Sequence, residues 1–317
     1  VNEIIALSEA MRAAVNLAER VAVTDANVLI TGESGAGKDA LAAFIHARSL
    51  RTGQPLVKID CATLPADLLE AELFGYERGA FTGASEAKPG RLESAHRGTL
   101  VLDEIAHLSL DAQAKLLRVI ENREFERLGG RKTIEVDARL IALTNADLKN
   151  AVERRAFRDD LFYRLNVVQI IAPPLRDRRE DLEPLSEAFI RGYAEKHGRA
   201  AKHLSSDARR LLFAYDFPGN VRELGNIIER AVIVSGGKEI EVADLPEGVR
   251  IAAAQQDRKG RRPSLAEVES DYIRETLAAT KGNKTEAARI LGISRKNLYE
   301  RLAREVRGER SEVREDE

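Results

Sequence analysis

The 317-residue chain has no tryptophan, one methionine and one cysteine. A lone Cys61 excludes an intramolecular disulfide and fits a reducing compartment. No stretch approaches the ~18 consecutive apolar residues of a membrane span, and no basic, apolar and small-residue leader opens the chain. We therefore expect a cytoplasmic protein with no membrane partner. Excess charge of one sign is also missing: 50 basic residues face 52 acidic ones, so bulk charge gives no argument for nucleic acid. No internal repeat is visible. An apolar fraction of 44% and a charged fraction of 32% are ordinary for a globular chain, and the length allows two or three domains. Val1 stands where Met is usual, and the expectation is a trimmed start.

Hydrophobic patterning divides what remains. Five short apolar runs, Val28–Ile30, Leu56–Ile59, Thr99–Leu102, Arg139–Leu143 and Val167–Ile171, alternate with helical patterns. That alternation predicts an α/β unit over 1–172 with a parallel sheet covered on both faces. Pro173-Pro174 closes the last strand, because proline neither donates to a ladder nor continues a helix. Residues 173–248 read as helices: Asp181–His197, Ser205–Tyr215 with a serine N-cap, and Asn220–Ser235 with Gly236-Gly237 as the stop. The polar, basic stretch 249–263 reads as a linker, 264–305 as a helical unit, and 306–317 as a charged tail.

Chemistry enters with Gly32-Glu33-Ser34-Gly35-Ala36-Gly37-Lys38, which has the G-x-x-x-x-G-K spacing of a P-loop. It follows a strand and opens a helix, the context that the motif requires. Its backbone N–H groups close around phosphate oxygens, and Lys38 adds a point charge for the β- and γ-phosphates. Leu100-Val101-Leu102-Asp103-Glu104 is a strand that delivers two carboxylates to the sheet's C-terminal edge. Asp103 is the candidate Mg²⁺ ligand, and Glu104 the residue that polarises the attacking water. Together these motifs predict ATP hydrolysis with Mg²⁺.

Two further segments stand out. In Gly79-Ala80-Phe81-Thr82-Gly83-Ala84, glycines bracket a Phe-Thr tip and allow sharp turns that push an aromatic and a hydroxyl outward. The alternative is a surface turn whose Phe81 folds back on the core. Residues 283–302 read as helix-turn-helix: Ala287, Ala288 and Leu291 give a small apolar face, Gly292 the turn, and Ser294 the next cap, with Leu298 and Leu302 as anchors. Seven basic and two acidic residues lie between Lys281 and Arg304, so the segment is locally positive. Ser294, Arg295, Lys296, Asn297 and Arg301 are the candidate DNA-binding residues; a plain helical hairpin is the alternative.

Taken in order, these motifs resemble the sigma-54-dependent transcriptional activators, bacterial enhancer-binding AAA+ proteins, over about residues 1–305. The resemblance implies an AAA+ core, an α-helical lid and a Fis-type DNA-binding domain. It also implies a partner, the sigma-54 RNA polymerase holoenzyme, touched by the GAFTGA loop, and enhancer DNA as a second. An acidic residue such as Asp39 after the P-loop lysine is common in that family. Asn145 matches its sensor I position, Arg158 and Arg164 its arginine fingers toward a neighbouring subunit, and Arg222 its sensor II. Self-association from a dimer, through the helix 265–280, to a hexamer or heptamer follows, with control by an upstream regulatory domain or a separate regulator.

Three positions depart from the family pattern. Asp60 stands where an Asn usually pairs with the Walker B glutamate, so two carboxylates would repel unless one is protonated or the pair is bridged; alternatively Asp60 points elsewhere. Arg97 replaces a usual glycine and crowds a tight turn. Phe217 replaces a common Trp. Two rival readings are a tyrosine-repressor-like DNA-binding regulator that does not remodel sigma-54, and another AAA+ motor such as a clamp loader or unfoldase.

Overall fold

All five apolar runs form one parallel sheet: β1 (Val28–Thr31), β2 (Leu56–Asp60), β3 (Thr99–Asp103), β4 (Arg139–Thr144) and β5 (Val168–Ile171), in the order β2-β3-β4-β1-β5. The computed structural model describes residues 4–200, 202–251, 269–270, 272–274, 276–277, 280, 282–299 and 301. Register sets Thr31 opposite Thr144 and Asp60 opposite Asp103, so the strands deliver their C-terminal residues to one edge.

Side chains alternate across the sheet, as the two-residue strand period demands. Leu29, Leu100, Leu102, Leu140 and Ala142 face one core layer, while Val28, Ile30, Val101, Ile141 and Leu143 face the other. The first layer is covered by α3 (Ala66–Phe74), α4 (Leu110–Asn122) and α5 (Asp159–Leu165), the second by α1 (Glu9–Ala22) and α2 (Lys38–Ala47).

After Pro173-Pro174 the chain makes two 3-10 turns and enters the lid helices α6 (Leu182–Lys196), α7 (Ser206–Ala214) and α8 (Asn220–Val234). Ser205 caps α7 by accepting from Ala208 N–H at 3.2 Å. The stop of α8 differs from the expectation: Ser235 turns extended (φ -64°, ψ 126°), and neither Gly236 nor Gly237 adopts a left-handed conformation. Ser235 and its carbonyl accept from buried Lys202, which anchors the helix end without a glycine cap. The linker also begins later than residue 249. Residues 247–251 are helical, and Val249 is buried in the lid core. Most of the expected linker and all of the expected tail lie outside the described residues.

Residues 251–317 form a separate compact unit. In it α9 (Lys284–Ile290) is capped by Asn283, whose side chain accepts from Thr285 and Glu286 N–H. Gly292 turns the chain at φ 69°, and Ser294 caps the helical residues 295–299 through Asn297 N–H at 3.2 Å. Ile273, Ala287, Ala288 and Leu298 form its buried core, while Leu302 lies outside the described residues.

Arg97, the turn residue before β3, sits in the left-handed region at φ 64° and donates its N–H to Asp137 at 2.6 Å. An L residue there carries about 1–2 kcal/mol of strain. Arg97→Gly keeps the N–H bond and relieves that strain, against ~0.5–1 kcal/mol of added chain entropy. The expected net gain is up to about 1.5 kcal/mol, read as a higher urea midpoint at unchanged slope.

Candidate functional site

The P-loop leaves β1 and wraps the N-terminus of α2. Gly37, the N-cap, adopts φ 99° and has no side chain to satisfy the first turn, so the helix's free N–H groups open toward the cleft. Lys38 is buried, and its Nζ donates to the carbonyls of Gly32 (2.8 Å) and Glu33 (3.2 Å) while lying 3.6 Å from Glu104 Oε1. Ser34, Gly35, Asp39, Asp60, Asp103, Glu104 and Arg222 join Lys38 around a cleft of 450 Å³. A second, largely apolar cavity of 850 Å³ adjoins it through Gly37, Ala40, Phe189 and Val221.

The lid closes directly on this loop. Val221 N–H donates to Gly35 O at 3.0 Å, and a Cβ at Gly35 would come within 2.3 Å of Gly219 O, so only glycine fits. Asn220 is fully buried at φ 53°; its amide donates to Glu33 Oε2 (3.1 Å) and Ser34 O (3.0 Å), and its Oδ1 accepts from Leu175 N–H (2.7 Å). Arg222 Nη1 reaches Ser34 Oγ at 2.9 Å, which brings the expected lid arginine to the P-loop. Two further arginines brace it. Arg176 forms a bidentate pair with Glu33, and buried Arg178 donates to Ala36 O at 2.6 Å. The Arg176 hydrogen bond, with that of Asn220, holds the Glu33 carboxyl down at about 2.

At the sheet edge, Glu104 stands in the left-handed region at φ 50°. Its Oε2 accepts from Asn145 N–H at 3.1 Å and lies 3.5 Å from Thr144 Oγ1. Asn145 therefore meets Glu104 through its backbone, a contact that side-chain reasoning does not supply. Lys58 spans Asp103 (2.8 Å) and Asp39. Burial opposes the Lys58 charge, but those two carboxylates outweigh it and hold its pKa above the ordinary value. Asp60 does not meet Glu104: its Oδ1 accepts from Ala62 N–H at 2.9 Å, closing its own turn. Of the two expected outcomes, the structure places Asp60 in the second, pointing elsewhere. Next to it, burial and then the charges of Asp60, Asp103 and Glu104 push the Cys61 thiol up to about 12.

A Mg·ATP group fits this constellation on three grounds: the uncapped α2 N-terminus, the buried Lys38 ammonium, and two carboxylates, Asp103 at the end of β3 and Asp39 in the first turn of α2. Mg²⁺ characteristically takes one or two carboxylates and completes its shell with phosphates and water.

Arg158 and Arg164 lie outside this cleft. Arg158 is paired bidentately with Asp160 (3.0 and 2.8 Å), and Arg164 directs Nε and Nη2 to the single oxygen Oε1 of Glu121 (3.1 and 2.9 Å), both arginines exposed. The GAFTGA loop is also apart from the cleft. Gly79 (φ 83°) and Gly83 (φ 107°) make its turns, Gly79 N–H donates to Ala84 O at 2.9 Å, and Ala84 is buried. Phe81 remains 42% exposed although its ring meets Tyr76 edge-on at 5.0 Å, so it leans on the loop's root without entering the core. Thr82 is exposed. In the second unit Ser294, Arg295 and Lys296 are exposed, while Asn297 accepts from Arg301 Nε at 2.8 Å.

A P-loop between β1 and α2, carboxylates on β3 two strands away, and a helical lid folded onto the loop define a P-loop AAA+ protein. Comparisons narrow the class. A sigma-54 interaction domain model matches residues 4–171, an AAA+ ATPase lid domain model 176–262, and a model of bacterial regulatory proteins of the Fis family 264–304. Regulatory protein AtoC of Escherichia coli K12 is 46% identical over 291 residues, 89% of this chain and 63% of AtoC. Transcriptional regulatory protein ZraR of Klebsiella oxytoca is 49% identical over 300 residues, 94% of this chain and 68% of ZraR. The crystal structure of Brucella abortus NtrX in complex with ATP superposes with a TM-score of 0.73 at 36% identity, covering 96% of this chain and 69% of that one. The chain belongs to the sigma-54-dependent transcriptional activator family and carries that family's AAA+ core, lid and Fis-type helix-turn-helix.

Sequence reasoning missed Asn220, Arg176, Arg178 and Lys58 as site residues. The Asn220 contacts are the most consequential. Asn220→Gly retains the left-handed backbone yet strands Leu175 N–H and Ser34 O, and is expected to cost about 2–3 kcal/mol in urea unfolding. A loss below ~0.5 kcal/mol would show that the amide bonds contribute nothing net.

Proposed function

We propose that the protein hydrolyses ATP with Mg²⁺ in a ring of its own copies and uses that turnover to convert the closed sigma-54 polymerase complex into an open one, while its C-terminal unit holds enhancer DNA. The observation that carries the reading is the convergence of Lys38, Asp103, Glu104 and Arg222 on one cleft beside the open N-terminus of α2. In this reading the purine base lies in the adjoining apolar cavity and the phosphates meet the P-loop N–H groups and Lys38. Asp103, with Asp39 beside it, would hold Mg²⁺, which when bound offsets charge on the phosphates. Glu104, fixed by Asn145 N–H and by Lys38, orients and polarises the attacking water. Arg222 links phosphate occupancy to the lid through its place in α8.

Arg158 and Arg164 serve a neighbouring copy's nucleotide, exchanging Asp160 and Glu121 for phosphoryl oxygens. The exposure of Tyr163 (73%), Val167 (61%) and Ile171 (65%) beside them supports an apolar contact between copies. Phe81 and Thr82 present an aromatic and a hydroxyl to the sigma factor from a loop held only at its base. Ser294, Arg295, Lys296, Asn297 and Arg301 face DNA from the second helix of the C-terminal unit. This role places the protein in the cytoplasm.

Thr82→Ala tests the coupling. ATPase rate should stay within about twofold while sigma-54 engagement and promoter opening are lost. Unimpaired opening in a purified transcription assay refutes the loop's role, and absence of ATP-dependent opening by the wild type favours a DNA-binding regulator that does not remodel sigma-54. Mixing Arg158→Ala with Lys38→Ala subunits should give ATPase rates that depart from the population-weighted average. Strict additivity would place both residues in the same subunit's chemistry.

A further inference from the structure

Lys58 has no part in the chemistry above, yet it is paired with two of the carboxylates that line the cleft. It stands on β2, at the edge of the sheet, 43% exposed, with its ammonium 2.8 Å from Asp103 Oδ2 and bonded also to Asp39 Oδ1. Those two carboxylates are the ones that would hold the divalent cation. Asp103 ends the Walker B strand, and Asp39 follows the P-loop lysine, where the general motif sets a metal-binding hydroxyl. The cleft carries four carboxylates, Asp39, Asp60, Asp103 and Glu104, against the cations Lys38 and Arg222. Without a third positive charge, Asp39 and Asp103 would repel each other and the phosphates.

We propose that Lys58 is a resident cation that competes with the divalent metal for Asp103 and Asp39, and so sets the metal requirement of nucleotide binding. The proposal rests on the nucleotide-site reading given above. With metal absent, the ammonium draws the two carboxylates together and lowers their repulsion of phosphate. With metal present, Lys58 gives up Asp103 and swings outward, a movement open to a flexible four-carbon stem on an edge strand.

Binding of a fluorescent ADP analogue to the full chain, titrated with Mg²⁺ and repeated in EDTA, tests this, with Mn²⁺ electron paramagnetic resonance counting bound metal. Lys58→Met removes the charge at similar length and should lower the Mg²⁺ midpoint, and weaken nucleotide binding in EDTA, each about three- to tenfold. Lys58→Arg restores the charge and should return both toward wild type. Matching urea curves for the three proteins separate these shifts from misfolding. An unchanged Mg²⁺ midpoint and unchanged EDTA affinity in Lys58→Met overturn the proposal. Loss of binding in Mg²⁺ as well as in EDTA overturns it too, because Lys58 would then be a direct phosphate ligand. Failure of the wild type to bind the analogue at all overturns the nucleotide-site reading itself, and the proposal with it.

Discussion

The interlock between the P-loop and the first turn of α8 is the constraint on which the site depends. Gly35 and Gly219 approach so closely that a Cβ at Gly35 would lie 2.3 Å from Gly219 O, and Asn220 joins Glu33, Ser34 and Leu175 through one buried amide. A buried amide with its partners satisfied is rigid, since breaking any one bond leaves a polar group without water. Arg176 and Arg178 add charge-assisted bonds to the same loop from the turns that start the lid. The lid is therefore attached to the P-loop through its backbone as well as its side chains.

The sheet edge has the opposite character, because it is governed by unbalanced charge. The register of β2 against β3 brings Asp60 beside Asp103, and Glu104 lies one residue further. Asp60 is held by its own turn, Asp103 by Lys58, and Glu104 by Lys38 and Asn145 N–H. Each of these three carboxylates has a separate partner. The Asn-to-Asp departure at position 60 is accommodated by redirecting the side chain.

The GAFTGA loop combines a fixed root with a free tip. Arg127 ties Glu77 (3.1 Å) and Glu93 (2.7 Å), and Glu77 N–H donates to Leu128 O at 3.0 Å, which fastens the root to the 124–135 hairpin. Neither Gly79 nor Gly83 has an atom within 4 Å of where a Cβ would be, so both are required by backbone conformation and leave the tip unpacked.

Five strands, the P-loop, the Ser205 cap and the Gly292 turn were legible in the sequence because each is a local preference: apolar runs of strand length, glycines at fixed spacing, a hydroxyl before a helix. The same locality explains the errors. Gly236-Gly237 resembles a helix stop, but buried Lys202 anchors that end from 33 residues away. Val249 resembles linker, but it completes the lid core. Asn220, Arg176, Arg178 and Lys58 carry no motif as site residues, since their roles come from partners between 19 and 187 residues distant. Spacing and residue type thus settled where the P-loop lies and which carboxylates end a strand. Folding alone settled which cation each carboxylate keeps and how the lid grips the loop, because those contacts join backbone and charge across segments that sequence patterns treat as independent.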